Sequence, residues 1–246
     1  MDIRNERFLE ALDRIIVDRR NREGIGRLGE KLVHASLKLF YEPDVTRHEI
    51  KVDGFVCDIV AENGIVEIQT GPFTPLKRKL EALLPTHRVT VVHPVAIKKT
   101  LIWIDAEGSF SSPVKSPKKE SVLDAFDKIV SLLPYLTDAN LTLVIPLLEV
   151  EEYRLLHPKY GKRRSTRYER VPTAFSGEVV LKTPADYEAL LPESLPDSFS
   201  ADDVSKCLKL RGRTLSAALK VLSALGVLRR EKDGRRVRYY RNQKQQ

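Results

Sequence analysis

GFVCDIVAENGIVEIQT, residues 54–70, is the stretch on which the fold turns. A run of β-branched and aromatic residues leads into Glu62-Asn63-Gly64 and returns through Ile65 to Thr70. Asn-Gly between two such runs is turn chemistry and predicts a β-hairpin. Side chains two apart on a strand share a face. Glu67 and Gln69 therefore point one way and Val66 and Ile68 the other, and Asp58 can come beside Glu67 across the hairpin. A carboxylate on each of two neighbouring strands can hold a divalent cation. Oxygen-only donors favour Mg2+ or Mn2+. Acids near a hairpin turn are also often simply solvated, so the surrounding elements decide between the two readings.

Upstream, Phe8, Leu9, Leu12, Ile15 and Ile16 recur at helical spacing. Gly24 and Gly26 break that helix. A second is predicted over 27–40, with Leu28, Leu32, Ala35 and Leu39 as its apolar stripe and Glu30 off it. His34, one turn after Glu30, could approach the site, though such a histidine is more often a surface or satisfied helix residue. Arg47–Val52 is strand-like. Downstream, Gly71, Pro72 and Pro75 end the hairpin. A helix then carries Leu76, Leu80, Leu83 and Leu84, and strands follow at Val89–Val95 and Leu101–Ile104. His87 and His93 read as structural. This order predicts an α/β fold with a mixed central sheet and flanking helices. Beyond it, residues 105–120 read as a loop, 122–136 as an amphipathic helix and 141–150 as a strand. Residues 157–170 carry six Lys and Arg against Glu169 alone and read as a basic loop or linker. Val179–Leu181 reads as a short strand.

Glu30 on the helix, Asp58, and Glu67-Ile68-Gln69 together resemble the PD-(D/E)xK, restriction-endonuclease-like nuclease superfamily. The likeness covers roughly residues 24–104. It implies Asp58, Glu67 and the Ile68 carbonyl as metal ligands, with Glu30 binding directly or through water. The metal would polarise a water and the scissile phosphate. Gln69 stands where that family has lysine. Gln orients a water by hydrogen bonds but brings no charge. Some type II restriction endonucleases resemble this variant and still cut DNA. Lys77 or Lys79 on the next helix is a further source of the missing charge. No proline precedes Asp58, a second departure from the family name.

The last third has its own pattern. Ser200-Ala-Asp-Asp203 is a capping box. Leu210-Arg-Gly-Arg213 forms a turn, Thr214 is expected to cap a second helix, and Gly226 to stop it. A basic hairpin follows, turning at Lys232-Asp-Gly234. A helix at 186–191 would complete three. The order resembles a winged helix-turn-helix over roughly 184–241. That resemblance implies DNA contacts from Arg211 and Arg213 just before the second helix, from Thr214 at its cap and Lys220 along it, and from Arg235, Arg236 and Arg238 on the wing. The expected domains are 1–155 (core 24–104), a basic linker or sheet extension at 156–183, and 184–246.

Composition fits this reading. Of 246 residues 42% are hydrophobic, enough for globular cores, and the net charge of +8 suits a polyanionic partner. Cys57 and Cys207 show no zinc spacing and read as small core residues. No segment reads as a signal peptide or membrane span, so a soluble cytoplasmic protein is expected. The leading function is a metal-dependent DNA endonuclease, a deoxyribonuclease using Mg2+. The alternative is a catalytically inactive nuclease fold serving as a DNA-binding regulator or as a subunit of a larger DNA-processing complex. An RNA-processing nuclease ranks last, for want of aromatic platforms in the basic segments. Cutting both strands would require a homodimer, or two cuts in sequence, since one chain offers one candidate site.

Overall fold

The computed structural model describes residues 2–22, 31–157, 164–234 and 236–242. The elements are α1 (Ile3–Arg22), α2 (Leu32–Tyr41), β1 (His48–Val52), β2 (Phe55–Ala61), β3 (Gly64–Ile68), α3 (Leu76–Leu83), β4 (Val89–Val92), β5 (Val95–Ile104) and β6 (Val114–Lys115). They continue as α4 (Phe126–Ile129), β7 (Leu141–His157), β8 (Arg164–Leu181), α5 (Pro184–Glu188), β9 (Ser198–Phe199), α6 (Ala201–Leu208), α7 (Gly212–Ala224), β10 (Leu228–Asp233) and β11 (Arg236–Arg241). The fold is α/β. One mixed sheet has the strand order β1-β2-β3-β4-β7-β5-β6, with β8 also paired to β7. β1–β2 and β2–β3 are antiparallel, and β5 runs parallel to β7. Helices flank the sheet.

Two compact units divide the chain, and each is built from alternating segments. The first comprises Met1–Thr70, Val92–Ser121 and Ile145–Val179; the second Gly71–Val91, Val122–Val144 and Val180–Gln246. The division thus differs from the contiguous one expected from sequence, because 71–91 and 122–144 join the C-terminal segment.

In the first unit the aromatic contacts show why α1 and α2 form. Phe8 is fully buried and meets Phe40 edge-on at 5.6 Å and Phe175 at 5.7 Å. Burying such a side chain stabilises by about 1.5–3 kcal/mol. The Arg4 guanidinium lies 5.0 Å from the Phe175 ring centre and pairs with Glu178. Tyr41 donates to the same Glu178 at 2.6 Å. Across β5, β7 and β8 an ion cluster joins Lys99, Glu120, Glu152, Arg154 and Arg170. Glu152 is 3% exposed and accepts from Arg154 at 2.6 Å and Arg170 at 2.9 Å. Burial pushes its pKa up, but Arg170, Arg154 and Lys99 more than offset this and hold it below the usual carboxylate range.

In the second unit Phe126 on α4 and Tyr187 on α5 are buried edge-to-face at 6.1 Å. Ile129, Leu132, Leu80, Leu83, Val221 and Leu222 are buried in the same unit. α7 packs on α4.

The structure departs from the expectations at four places and takes one of two open alternatives at a fifth. Of the two readings of 156–183, linker or sheet extension, the described residues take the extension and not the loop: β7 runs on to His157, and β8 starts at Arg164 and pairs with β7. Thr166 and Tyr168 are strand formers, and Arg170 pairs with Glu152 on β7. The expected short strand at 179–181 is the end of β8. The helix expected over 122–136 is broken into 3-10 turns on either side of α4, with Pro134 inside the last; proline removes a helical N–H and crowds the preceding turn. β6 lies inside the expected loop 105–120, paired with β5. Cys207, expected in a core, is exposed on α6, its sulfur 3.4 Å from Ser194 Oγ. Cys57 is buried.

Candidate active site and nucleic-acid interface

The β2–β3 hairpin forms as its sequence requires. Ile59 pairs with Val66, Val60 with Ile65 and Ala61 with Gly64. Gly64 closes the turn at φ 123°, a left-handed conformation that suits glycine. One further step in this register sets Asp58 opposite Glu67, and opposite residues share a face. Asp58 Oδ2 reaches across the hairpin and accepts the Ile68 N–H at 2.7 Å. Glu67 is 4% exposed, and the Ile68 side chain is buried. The Gln69 backbone is fixed on both sides: its N–H donates to the Val92 carbonyl at 2.8 Å, and its carbonyl accepts from His93 Nδ1. That contact assigns the proton of His93 to Nδ1, and the ring is buried as a structural residue.

Two more residues come to this site, His34, weighed in the sequence as able to approach it, and Glu49, which was not foreseen. His34 on α2 places Nε2 3.4 Å from Asp58 Oδ2, so it belongs to the site. The other is Glu49. On β1, His48 pairs with Ile59 and Ile50 with Cys57, which sets Glu49 opposite Asp58. Glu49, Asp58 and Glu67 thus occupy one row across three neighbouring strands. Lys38, one helical turn after His34, contacts Glu49 Oε1 at 2.5 Å. The i, i+4 spacing of His34 and Lys38 was legible. Their strand partners were not, because those depend on long-range pairing.

Glu30 lies outside the described residues. Lys77 and Lys79 are on α3, in the second unit. Among the described residues no group of three or more His, Cys, Asp and Glu is arranged to hold a metal ion. Asp58 and Glu67 nonetheless suit Mg2+, which is commonly bound by one or two carboxylates with waters and substrate phosphate completing the shell. Those two carboxylates and the Ile68 carbonyl would be the protein's share of that shell.

The second candidate surface lies in the other unit. β9 pairs with β11, which pairs with β10, giving a three-stranded antiparallel sheet in the order β10-β11-β9. Phe199 stacks on Tyr239 at 6.3 Å. The Ser200–Asp203 capping box is formed, with both reciprocal bonds made. Thr214 does not cap α7. The helix already starts at Gly212, after Arg211 in extended conformation, so Thr214 sits in the first turn. Lys209 in the left-handed region, φ 54°, reverses the chain between α6 and α7. Gly226 at φ 70° follows the end of α7, as expected. Arg213, Ser216 and Lys220 are exposed at helical spacing along α7, and Arg211 is exposed at its start.

The β10–β11 hairpin shares out its cations by face. Arg229 is engaged by Glu231 at 3.0 Å and by the Tyr240 ring at 5.0 Å. Arg230 and Lys232 are exposed, on strand positions opposite Tyr239 and Val237. Arg238 is exposed opposite Glu231, and Arg236 is in register with Asp233. Arg235 lies outside the described residues. No described helix is long and apolar enough to cross a membrane.

No solved structure matches this chain. A protein of Treponema pallidum (strain Nichols), named "Uncharacterized protein", is similar to it, 30% identical over 179 residues that cover 71% of this chain and 70% of the relative. Residues 31–182, which hold the α2 and hairpin carboxylate site but not the C-terminal basic hairpin, match a family described as "Domain of unknown function (DUF8091)", and the chain belongs to that family.

Proposed function

We propose that this protein is a metal-dependent DNA endonuclease, with a restriction-endonuclease-like site in the first unit and a winged-helix module in the second. The observation that carries the reading is the hairpin register that sets Asp58 opposite Glu67 on one face, with Gln69 two residues along. Asp58, Glu67 and the Ile68 carbonyl are the candidate ligands. When bound, Mg2+ supplies Lewis acidity to the scissile phosphate and a nucleophilic water. The chain's own residues orient and hold. The Ile68 N–H fixes one Asp58 oxygen, and the Val92 and His93 bonds fix the Gln69 backbone, so that its side-chain amide is presented from a rigid strand.

The winged-helix reading is supported by the element order α5, β9, α6, α7, β10, β11 and by β9 pairing on β11. α7 would enter the major groove, with Arg211 and Arg213 near its leading end, Thr214 in the same turn and Lys220 farther along. Arg230, Lys232, Arg236 and Arg238 would meet phosphates, the destination of most protein–DNA hydrogen bonds.

One observation favours the second reading, a DNA-binding regulator without catalysis. Asp58 Oδ2 is already engaged by the Ile68 N–H and His34. The test is incubation with supercoiled, linear, single-stranded and branched DNA in Mg2+, Mn2+ or EDTA, beside Glu67→Ala. Metal-dependent cutting lost in the variant supports the endonuclease. Salt-sensitive binding with no cutting on any substrate selects the regulator.

A further inference from the structure

Hydrolysis of a phosphodiester builds negative charge on the phosphoryl oxygens, and a preorganised cation facing that charge is worth much of the rate. Gln69 brings none. Among the described residues, Lys38 stands beside the carboxylate row. Lys38 rises from α2 one turn after His34, and its ammonium contacts Glu49 at 2.5 Å. Glu49 is the register neighbour of Asp58, so Lys38 reaches the strand adjoining β2, about 4.8 Å away by ordinary strand spacing. Its stem is buried, its side chain 9% exposed, while the Glu49 carboxylate it meets is 57% exposed. The ammonium is thus delivered from the core to an open edge of the row, in the manner of a snorkelling lysine. Glu49 holds it from a left-handed backbone, φ 55°. For a non-glycine residue this conformation is strained, and such strain gathers at functional positions.

We propose that Lys38, presented by α2 and held by Glu49 at the edge of the Glu49–Asp58–Glu67 row, is the cation that meets the scissile phosphate in this site. The assignment rests on the endonuclease reading. It makes α2 the carrier of the charge that the hairpin lacks, with His34 set against Asp58 on the same helix face.

The test uses the full chain with Lys38→Met, Lys38→Arg and the double variant Lys38→Met/Glu49→Gln, which removes both partners and guards against a fold lost through an uncompensated carboxylate. Two readouts are taken: single-turnover cutting in Mg2+, and binding of a short duplex in EDTA as a function of salt. Lys38→Met and the double variant are expected to cut about 10²–10³-fold more slowly. In EDTA the slope of log affinity against log salt should fall by about 0.9, one phosphate contact. Lys38→Arg should recover part of the rate. Cutting at the wild-type rate by the double variant, while Glu67→Ala is dead, overturns the role of Lys38 and leaves the endonuclease standing. A wild-type protein that cuts no DNA in either metal overturns both together.

Discussion

If the proposed interface binds DNA, removing Arg230 and Lys232 together should flatten the salt dependence of that binding by about two phosphate contacts. The described cations on the proposed interface are Arg211, Arg213, Lys220, Arg230, Lys232, Arg236 and Arg238. Arg229 is left out because Glu231 and Tyr240 occupy it. Arg236 and Arg238, at register positions opposite residues 233 and 231, count together for about one contact. About six phosphate contacts remain, giving a slope near −5.4 in log affinity against log salt and a loss of roughly 10³-fold between 50 and 200 mM. Arg230→Ala/Lys232→Ala leaves about four contacts, a slope near −3.6 and a loss of roughly 10²-fold over the same range. Anisotropy of a labelled duplex, titrated in EDTA at several salt concentrations, measures both. Arg229→Ala serves as the contrast and should leave the slope where it is. A double variant with the wild-type slope would refute the assignment of the hairpin to phosphate, whatever its effect on affinity at one salt.

Glu152→Gln should destabilise the fold by about 3 kcal/mol, since removing one partner of a buried ion cluster strands the others; melting should drop by about 6–12 °C. Glu120 and Glu152 are both held below the ordinary carboxylate range despite burial, so they contribute stability above the unfolded carboxylate value of about 4.3 and lose it as pH falls through their folded values. Urea midpoints should accordingly decline below pH 4.3 in the wild type, and less steeply in Glu152→Gln. Ser200→Ala removes the acceptor for the Asp203 N–H and should cost about 1 kcal/mol by the same denaturation measurement. Asp58→Asn should abolish metal-dependent cutting yet melt close to wild type, because its amide oxygen still accepts the Ile68 N–H; a large loss of stability would mean that Asp58 is chiefly structural.

The hairpin and its carboxylates were legible because their signals are local. Alternating residues and Asn63-Gly64 settle the turn, and the turn settles which side chains share a face. The capping box at Ser200 was legible for the same reason. What was not legible depends on residues far apart in sequence. Glu49 joins the row only through the β1–β2 register, and His34 joins it only because α2 lies over the hairpin's acids. Residues 164–170 were read by their charge, yet their strand is selected by pairing with β7, where Glu152 receives Arg170. The stretch 122–136 has helical spacing, but Pro134 and the packing of α4 on α7 break it into short turns.

The alternation of segments between the two units has a consequence for synthesis. Residues 71–91 and 122–144 leave the ribosome well before Val180–Gln246, the segment that completes their unit. At 5–20 residues per second the 80 residues from Val144 to the end of α7 at Ala224 take about 4–16 s. During it Phe126 has no Tyr187 against its ring, and α4 has no α7 to cover it. Nascent chains therefore carry an apolar surface that is concealed only once α7 has been made. Products stopped or clipped ahead of α7 display it permanently, which marks them for chaperone capture or proteolysis. Possession of the basic hairpin and completion of that core are thus tied together: a chain able to present its proposed DNA-binding surface has already passed the test of having been made to the end of α7.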